Sequence, residues 1–334
     1  MIKYNKNNIL ISPIFYMGNK KRLINKGLID LFPENIVTFY DVFGGSGIVS
    51  MNVKAEHYIV NDIDKNLYRL YNLFKYDSAN NIINAIYERI KQYGLARERT
   101  KRNEYKDKHK IEEYKLAYSR LKDHFNITND IYDFYTLMFY SFSQQFRFNS
   151  KGKFNMPCGN DCFTVKNEEY IKNGCDFFSK AEIHNQDYTD IIKNFNYDSL
   201  STDVFYYFDP PYINTTATYN ENNGWTIEDD KILLNHLNNL TQRNIKLALS
   251  NVFKNKNKIN DNLIQWTTEN NYNIFMFDNF TYMACGQGNS NAKEVLITNY
   301  NISNTITNKH NKKCFNLRKM NKTVDSDNKI KKLF

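Results

Sequence analysis

Apolar residues fall along this chain in two rhythms. Short runs rich in β-formers occur at residues 37–43 (VTFYDVF), 58–62 (YIVND), 204–209 (VFYYFD), 245–250 (IKLALS), 274–280 (IFMFDNF) and 294–300 (EVLITNY). Their length and composition predict buried strands. Between them, helical spacing covers residues 20–31, 48–54, 66–75, 232–240 and 261–269. Thr226 with Asp229 three residues later reads as a capping box that opens a helix. Strands alternating with helices predict an α/β sheet covered on both faces.

The alternation breaks between Asp62 and Val204. Residues 79–124 are polar, basic and helical in pattern, and 130–142 reads as a further helix. Residues 147–159 (RFNSKGKFNMPCG) alternate around Lys151-Gly152, which predicts a hairpin because glycine supplies the positive φ of a tight turn. An insertion of about 100 residues inside one α/β domain follows from this break. Residues 294–300 are expected to be the last strand.

Composition narrows the picture. The chain has 334 residues, 41% hydrophobic and 24% charged, enough for one large or two small domains with a sizeable core. Aromatic residues make up 15%, with 25 Tyr and 24 Phe but only 2 Trp. No apolar run is long enough to span a bilayer and the N-terminus lacks a secretory pattern, so no membrane association is expected. Five scattered cysteines suit a reducing cytoplasm, and no Cys or His set has zinc-site spacing, so no metal is expected. The net charge is +9, of which residues 301–334 carry +7 from nine Lys or Arg and two Asp. A second basic stretch, residues 97–110, holds seven basic and three acidic residues. Both are solvated segments by themselves and phosphate contacts if the partner is a nucleic acid.

Two motifs carry chemistry. DVFGGSG, from Asp41 to Gly47, ends one strand and opens the next helix; Asp62 ends the following strand. A glycine turn with an acid on the next strand suits a nucleoside-containing cofactor, the acid accepting from ribose hydroxyls. Ser50 stands where a dinucleotide fingerprint has its third glycine, which favours a smaller cofactor. The second motif is DPPY, Asp209-Pro210-Pro211-Tyr212, after the strand VFYYF. Two prolines end the ladder and stiffen the backbone. Asp209 and the Pro210 carbonyl could accept the two protons of an exocyclic amine, aiming its lone pair at an electrophilic methyl. Tyr212 offers a face for a stacked base.

In combination and order, these motifs resemble the Dam-like (D12 class) site-specific DNA N6-adenine methyltransferases, over residues 14–300. FYMGNKKRLI (residues 15–24) is similar to the family's N-terminal motif KWxGGK, with Tyr16 on the aromatic and Lys20 on the lysine. Phe43, Gly45 and Gly47 fall on FxGxG, Asp62 on the ribose-binding acid, and Asp187 in NQDY on the segment beside the cofactor's adenine. The resemblance implies a class I S-adenosylmethionine-dependent methyltransferase fold: Rossmann-like, mostly parallel, with an inserted helical and β-hairpin target-recognition domain. The family's α-group order implies a cofactor half over residues 1–71, the recognition domain over 72–179, a catalytic half over 180–300 and a basic tail over 301–334. It implies Tyr16, Lys20, Asp41, Phe43, Gly45, Gly47, Asp62, Asp187 and Asp209 at the cofactor, and Asp209, Pro210, Pro211 and Tyr212 as catalytic.

The hairpin is similar to the family's DNA-reading hairpin, with Phe142, Gln145, Arg147, Asn149, Lys151 and Pro157 as its contacts. Arg147 falls on a guanine-contacting position, and arginine can bond O6 and N7 together. Phe142 is a candidate wedge in the base stack. Enzymes of the family that read GATC commonly have YNG and an apolar residue here; Gln145 departs from that and puts GATC in doubt. The implied function is methyl transfer from S-adenosylmethionine to N6 of a flipped-out adenine in double-stranded DNA. A cognate restriction endonuclease is a possible functional partner, and the cytoplasm and nucleoid of a bacterium, or a phage origin, the setting. The alternative is an RNA or other planar-amine methyltransferase of the same fold.

Overall fold

The computed structural model describes residues 9–98, 108–193, 203–213, 224–255, 258–281, 291–302 and 314–316. Most of 97–110 and of 301–334 therefore lies outside the described residues.

Among the described residues, one mixed sheet organises the chain. Its first half is parallel: β3 (Glu182–His184), β2 (Ala55–Asn61), β1 (Ile36–Asp41), β4 (Val204–Phe208) and β5 (Leu247–Asn255) lie side by side in that order. Beyond β5 come β8 (Asn291–Thr298), β7 (Asn273–Thr281) and β9 (Cys314–Asn316), while the two-residue β6 (Lys258–Ile259) pairs on β5. β8 is antiparallel to both β5 and β7.

The central strands are buried on both faces, which is why they read as near-continuous apolar runs. Phe39, Phe205 and Tyr207 pack on one face with Leu23, Leu28 and Phe32. Tyr40, Tyr206 and Phe208 pack on the other with Leu233, Leu237 and Ile264. The latter come from α8 (Ile227–Gln242) and α9 (Asp261–Glu269). The capping box of Thr226 and Asp229 is present at the start of α8.

Several local expectations need correction. The helix expected over 20–31 is one short helix, α1 (Lys21–Asn25), then a 3-10 turn at Ile29–Leu31; Gly27 between them takes φ +83°. The stretch 48–54 forms a 3-10 turn at Ser50–Asn52 rather than a helix. The 79–124 pattern divides into α3 (Ala79–Tyr93) and α4 (Lys108–Thr128), because Gly94 ends α3 in the left-handed region. β9 follows the strand expected to be last, and pairs with β7.

Between β2 and β3 run α2 (Lys65–Tyr76), α3, α4, α5 (Ile131–Tyr140) and α6 (Val165–Phe178). The inserted helices do not have a core of their own. One apolar cluster runs from Val60 on β2 through Tyr71, Phe74 and Phe178 to Phe134 and Phe154. The hairpin forms about Phe148 and Phe154, which pair across it, and Gly152 takes φ +70° at its tip. Phe154 is buried and the rings of Phe125, Phe134 and Phe148 lie against it. This aromatic floor fixes the hairpin to α4 and α5.

Candidate active site

The order in which strands are added reverses between the parallel neighbours β1 and β4. β1 continues to β2 and β3 on one side, β4 to β5 on the other, which opens a crevice beyond their carboxyl ends. Residue 41 pairs with residue 207, so Asp209 emerges two residues past the level of Asp41. A cleft of about 480 Å³ opens there. Tyr16, Lys20, Asp41, Phe43, Gly45, Asp62, Asp187, Asp209, Pro210, Pro211 and Tyr212 all line it. The fold thus brings eleven of the twelve expected cofactor and catalytic residues to one wall-to-wall site. Gly47 stands just behind, against the Phe178 ring.

The glycine turn is dictated by close approach. A Cβ at Gly44 would sit 2.6 Å from a Val60 methyl and 3.1 Å from the Asn61 carbonyl. Gly45 takes φ +54°, where a side chain is strained. Its amide donates to Asp62 Oδ2 at 2.9 Å and its carbonyl accepts from the Tyr71 hydroxyl. Tyr16 lies over the same glycine, and its ring meets Phe146 at the root of the hairpin at 5.7 Å.

Asp209 is held at both oxygens. Lys20 Nζ lies 2.6 Å from Oδ2, and the Tyr212 hydroxyl donates to Oδ1 at 2.8 Å. Lys20 also lies 5.1 Å from the Tyr212 ring centre. Burial pushes the Asp209 carboxyl up, while the Lys20 charge and the two hydrogen bonds draw it down. Asp41 is 1% exposed; Ser50 donates to its Oδ2 at 2.6 Å, and its Oδ1 has no hydrogen-bond partner among the described residues. Burial pushes its carboxyl up to about 7. Burial likewise takes Asp62 to about 6, against the hydrogen bonds from the Asp64 and Gly45 amides. Asp187 accepts from the Thr189 amide at 2.8 Å, at the start of α7 (Tyr188–Lys193).

Three features were not read in the sequence. Trp225 lines the cleft and forms a wall with Phe43 and Tyr188, at ring separations of 5.8 and 5.2 Å. Its indole N–H donates to Asp230 at 2.6 Å. Its place just before the capping box was the available signal. Asn61 ties the strand ends together, donating to the Val42 and Gln186 carbonyls and accepting from the Gln186 amide. Ser50 partners Asp41, which gives the substituted glycine position a role.

None of the expected DNA contacts lines the cleft. Arg147 is exposed on the hairpin and bonds Asn155 through Nε at 3.0 Å. Lys151 is exposed at the tip. The Asn149 side-chain oxygen accepts the amides of Lys151 and Lys153, so it also builds the turn. Phe142 is 40% exposed. Its amide bonds the Pro157 carbonyl at 2.8 Å, and the next two residues, Ser143 and Gln144, both take left-handed φ. Gln145 is partly buried and its carbonyl accepts from the Ser141 hydroxyl.

Fold and cleft together are those of a class I methyltransferase. The chain belongs to the D12 class N6 adenine-specific DNA methyltransferases, whose family model matches residues 16–275. It is 33% identical over 295 residues to the modification methylase StsI of Streptococcus sanguinis, covering 86% of this chain and 43% of that protein. It is 31% identical over 306 residues to the type II methyltransferase M.FokI of Planomicrobium okeanokoites, covering 89% of this chain and 44% of that protein. A DNA adenine methylase of Vibrio cholerae is 26% identical over 221 residues, 63% of this chain and 70% of that protein. The chain therefore spans less than half the length of the two modification methylases.

Proposed function

We propose that this chain transfers a methyl group from S-adenosylmethionine to N6 of an adenine extruded from double-stranded DNA. The observation that carries the reading is Asp209: a partly buried carboxylate, held at both oxygens, in the same cleft as the glycine turn and Asp62. The lining chemistry fits the cofactor. Among the described residues six aspartates and one lysine face the cleft, an acidic lining suited to a cationic ligand. The unpartnered Asp41 oxygen is an acceptor awaiting a donor. Asp62 would take the ribose hydroxyls, Asp187 and the wall of Phe43, Tyr188 and Trp225 the adenine. The bound cofactor supplies an electrophilic methyl on a cationic sulfur.

The chain's own residues do the rest. An adenine amine is a weak nucleophile because its lone pair is delocalised into the ring. Each carboxylate oxygen has two lone pairs, so Asp209 accepts from the amine while keeping Lys20 and Tyr212. The Pro210 carbonyl accepts a hydrogen bond from the second amine N–H, the lone pair turns toward the methyl, and the proton that N6 gives up on methylation leaves through Asp209 to water. The Lys20 ammonium favours the ionised form of Asp209 against the opposing effect of burial. Catalysis comes from positioning and from these hydrogen bonds.

The insertion, residues 72–179, acts as the recognition domain. Arg147, Gln145, Asn149, Lys151 and Pro157 face the duplex from the hairpin, and the left-handed turn at Ser143-Gln144 presents Phe142 as a wedge for the gap left by the flipped base. The relatives named as modification methylases support a role beside a restriction endonuclease, in the bacterial cytoplasm where its DNA lies. The test is transfer of labelled methyl from S-adenosylmethionine to duplex DNA, RNA and protein in parallel, with the modified base identified. N6-methyladenine in the duplex alone is expected. Label in RNA or protein, with none in duplex DNA, overturns the reading.

A further inference from the structure

Arg147 and Asn155 stand opposite each other across the hairpin, where the Asn155 amide donates to the Arg147 carbonyl at 3.0 Å. The alternation of the two strands divides the hairpin. Phe148, Phe154 and Met156 pack into the apolar cluster, Phe154 and Met156 as buried residues. Arg147 and Asn155 fall on the alternate positions.

The side chains also meet. Arg147 Nε donates to Asn155 Oδ1 at 3.0 Å and Nη2 to the Asn155 carbonyl at 3.4 Å. Both bonds use one edge of the planar guanidinium. A guanidinium has five donors, so the other edge, Nη1 with the second proton of Nη2, keeps the paired geometry that matches two acceptors on a guanine. The contact thus selects which edge is offered. It also holds a long, flexible side chain in one orientation before any base arrives, which lowers the ordering cost of binding.

We propose that Asn155 is a specificity-determining positioning residue: its side-chain oxygen holds the Arg147 guanidinium so that its outer edge reads a guanine. The proposal rests on the reading of the hairpin as a DNA reader, and goes beyond it by assigning Asn155 a part that touches no base.

The experiment is a methylation profile of the full chain over a randomised duplex library. Wild type is compared with Arg147→Ala, Asn155→Leu and Asn155→Asp. Leucine matches asparagine in shape and lacks the acceptor; aspartate keeps an acceptor and adds charge. Arg147→Ala should relax one base pair. Asn155→Leu should relax that same pair, lowering discrimination about 3- to 10-fold, the size of one hydrogen bond. Asn155→Asp should keep the wild-type profile, and thermal melting should be alike in all four proteins. If Arg147→Ala relaxes a pair while Asn155→Leu keeps the wild-type profile, relaxes another pair or lowers all sequences evenly, the positioning role is wrong. If Arg147→Ala itself relaxes no pair, the base-reading assignment fails and the proposal with it. A loss of discrimination in Asn155→Asp equal to that in Asn155→Leu also overturns it, since the acceptor would then be irrelevant.

Discussion

At the carboxyl ends of β1, β2 and β4, Asp41, Asp62 and Asp209 share a cleft with one ammonium, that of Lys20. On the hairpin, Arg147, Lys151 and Lys153 stand exposed above phenylalanines. The cleft gathers acidic side chains, burial pushes the carboxyls of Asp41 and Asp62 upward in pKa, and one Asp41 oxygen has no hydrogen-bond partner among the described residues. The hairpin spreads positive charge in solvent over an apolar base that holds the backbone still. Buried charge is costly and exposed charge is cheap. The same chain uses packing for opposite ends: to bury the aspartates of the cleft, and to hold the hairpin backbone under exposed basic side chains.

The sharpest way to break this comparison lies in the cleft. Asp209→Ala should cut methyl transfer about 10²- to 10³-fold, or roughly 2.7–4 kcal/mol, while DNA binding persists. Transfer rates and a gel-shift titration on one preparation check it, and retention of more than a tenth of the rate would falsify the acceptor role.

Of like size is a stability effect with a defined pH dependence. The Asp41 carboxyl titrates at about 7 when folded, above its ordinary range, so the native state holds a proton that the unfolded chain releases. The stability contributed by that proton is full below about pH 4 and is lost as pH rises toward 7. Asp41→Asn removes the charge. Its melting advantage over wild type, without cofactor, should be near nil at pH 4, grow with pH and level above pH 7 at roughly 4 kcal/mol. A constant difference across that range means Asp41 is not a strained charge.

Asp62→Ala tests the cofactor end. Losing a charge-assisted acceptor should weaken S-adenosylmethionine binding by about 1.5–3 kcal/mol, roughly 10- to 150-fold by calorimetry. Unchanged affinity would move the ribose site elsewhere.

The smallest effect belongs to the exposed side. Lys151→Ala should weaken binding to all duplexes alike and reduce the slope of log affinity against log salt by about 0.9. An unchanged slope places Lys151 off the phosphates, and a sequence-dependent loss gives it a base instead.

The sequence by itself determined the class of fold and the cleft's inventory. Short apolar runs rich in β-formers suit the buried strands of a covered sheet, and Asp41, Asp62 and Asp209 stand at or near the ends of three of them, which fixes their edge. The capping box of Thr226 and Asp229 and the glycine at the hairpin tip were legible because each is a local rule met by local residues. The tertiary structure decided what depends on distant partners. Residues 20–31 and 48–54 have helical spacing, yet the first forms only the short α1 and a 3-10 turn and the second only a 3-10 turn, since Gly27 takes positive φ and the glycine loop passes close to Asn61. β9 depended on a free edge of β7. That Lys20 meets Asp209, that Trp225 walls the cleft beside Phe43, and that Asn155 holds Arg147 were likewise invisible. Propensity and periodicity act over a few residues, whereas these contacts join positions 189, 182 and 8 residues apart through packing that only the assembled sheet and hairpin create.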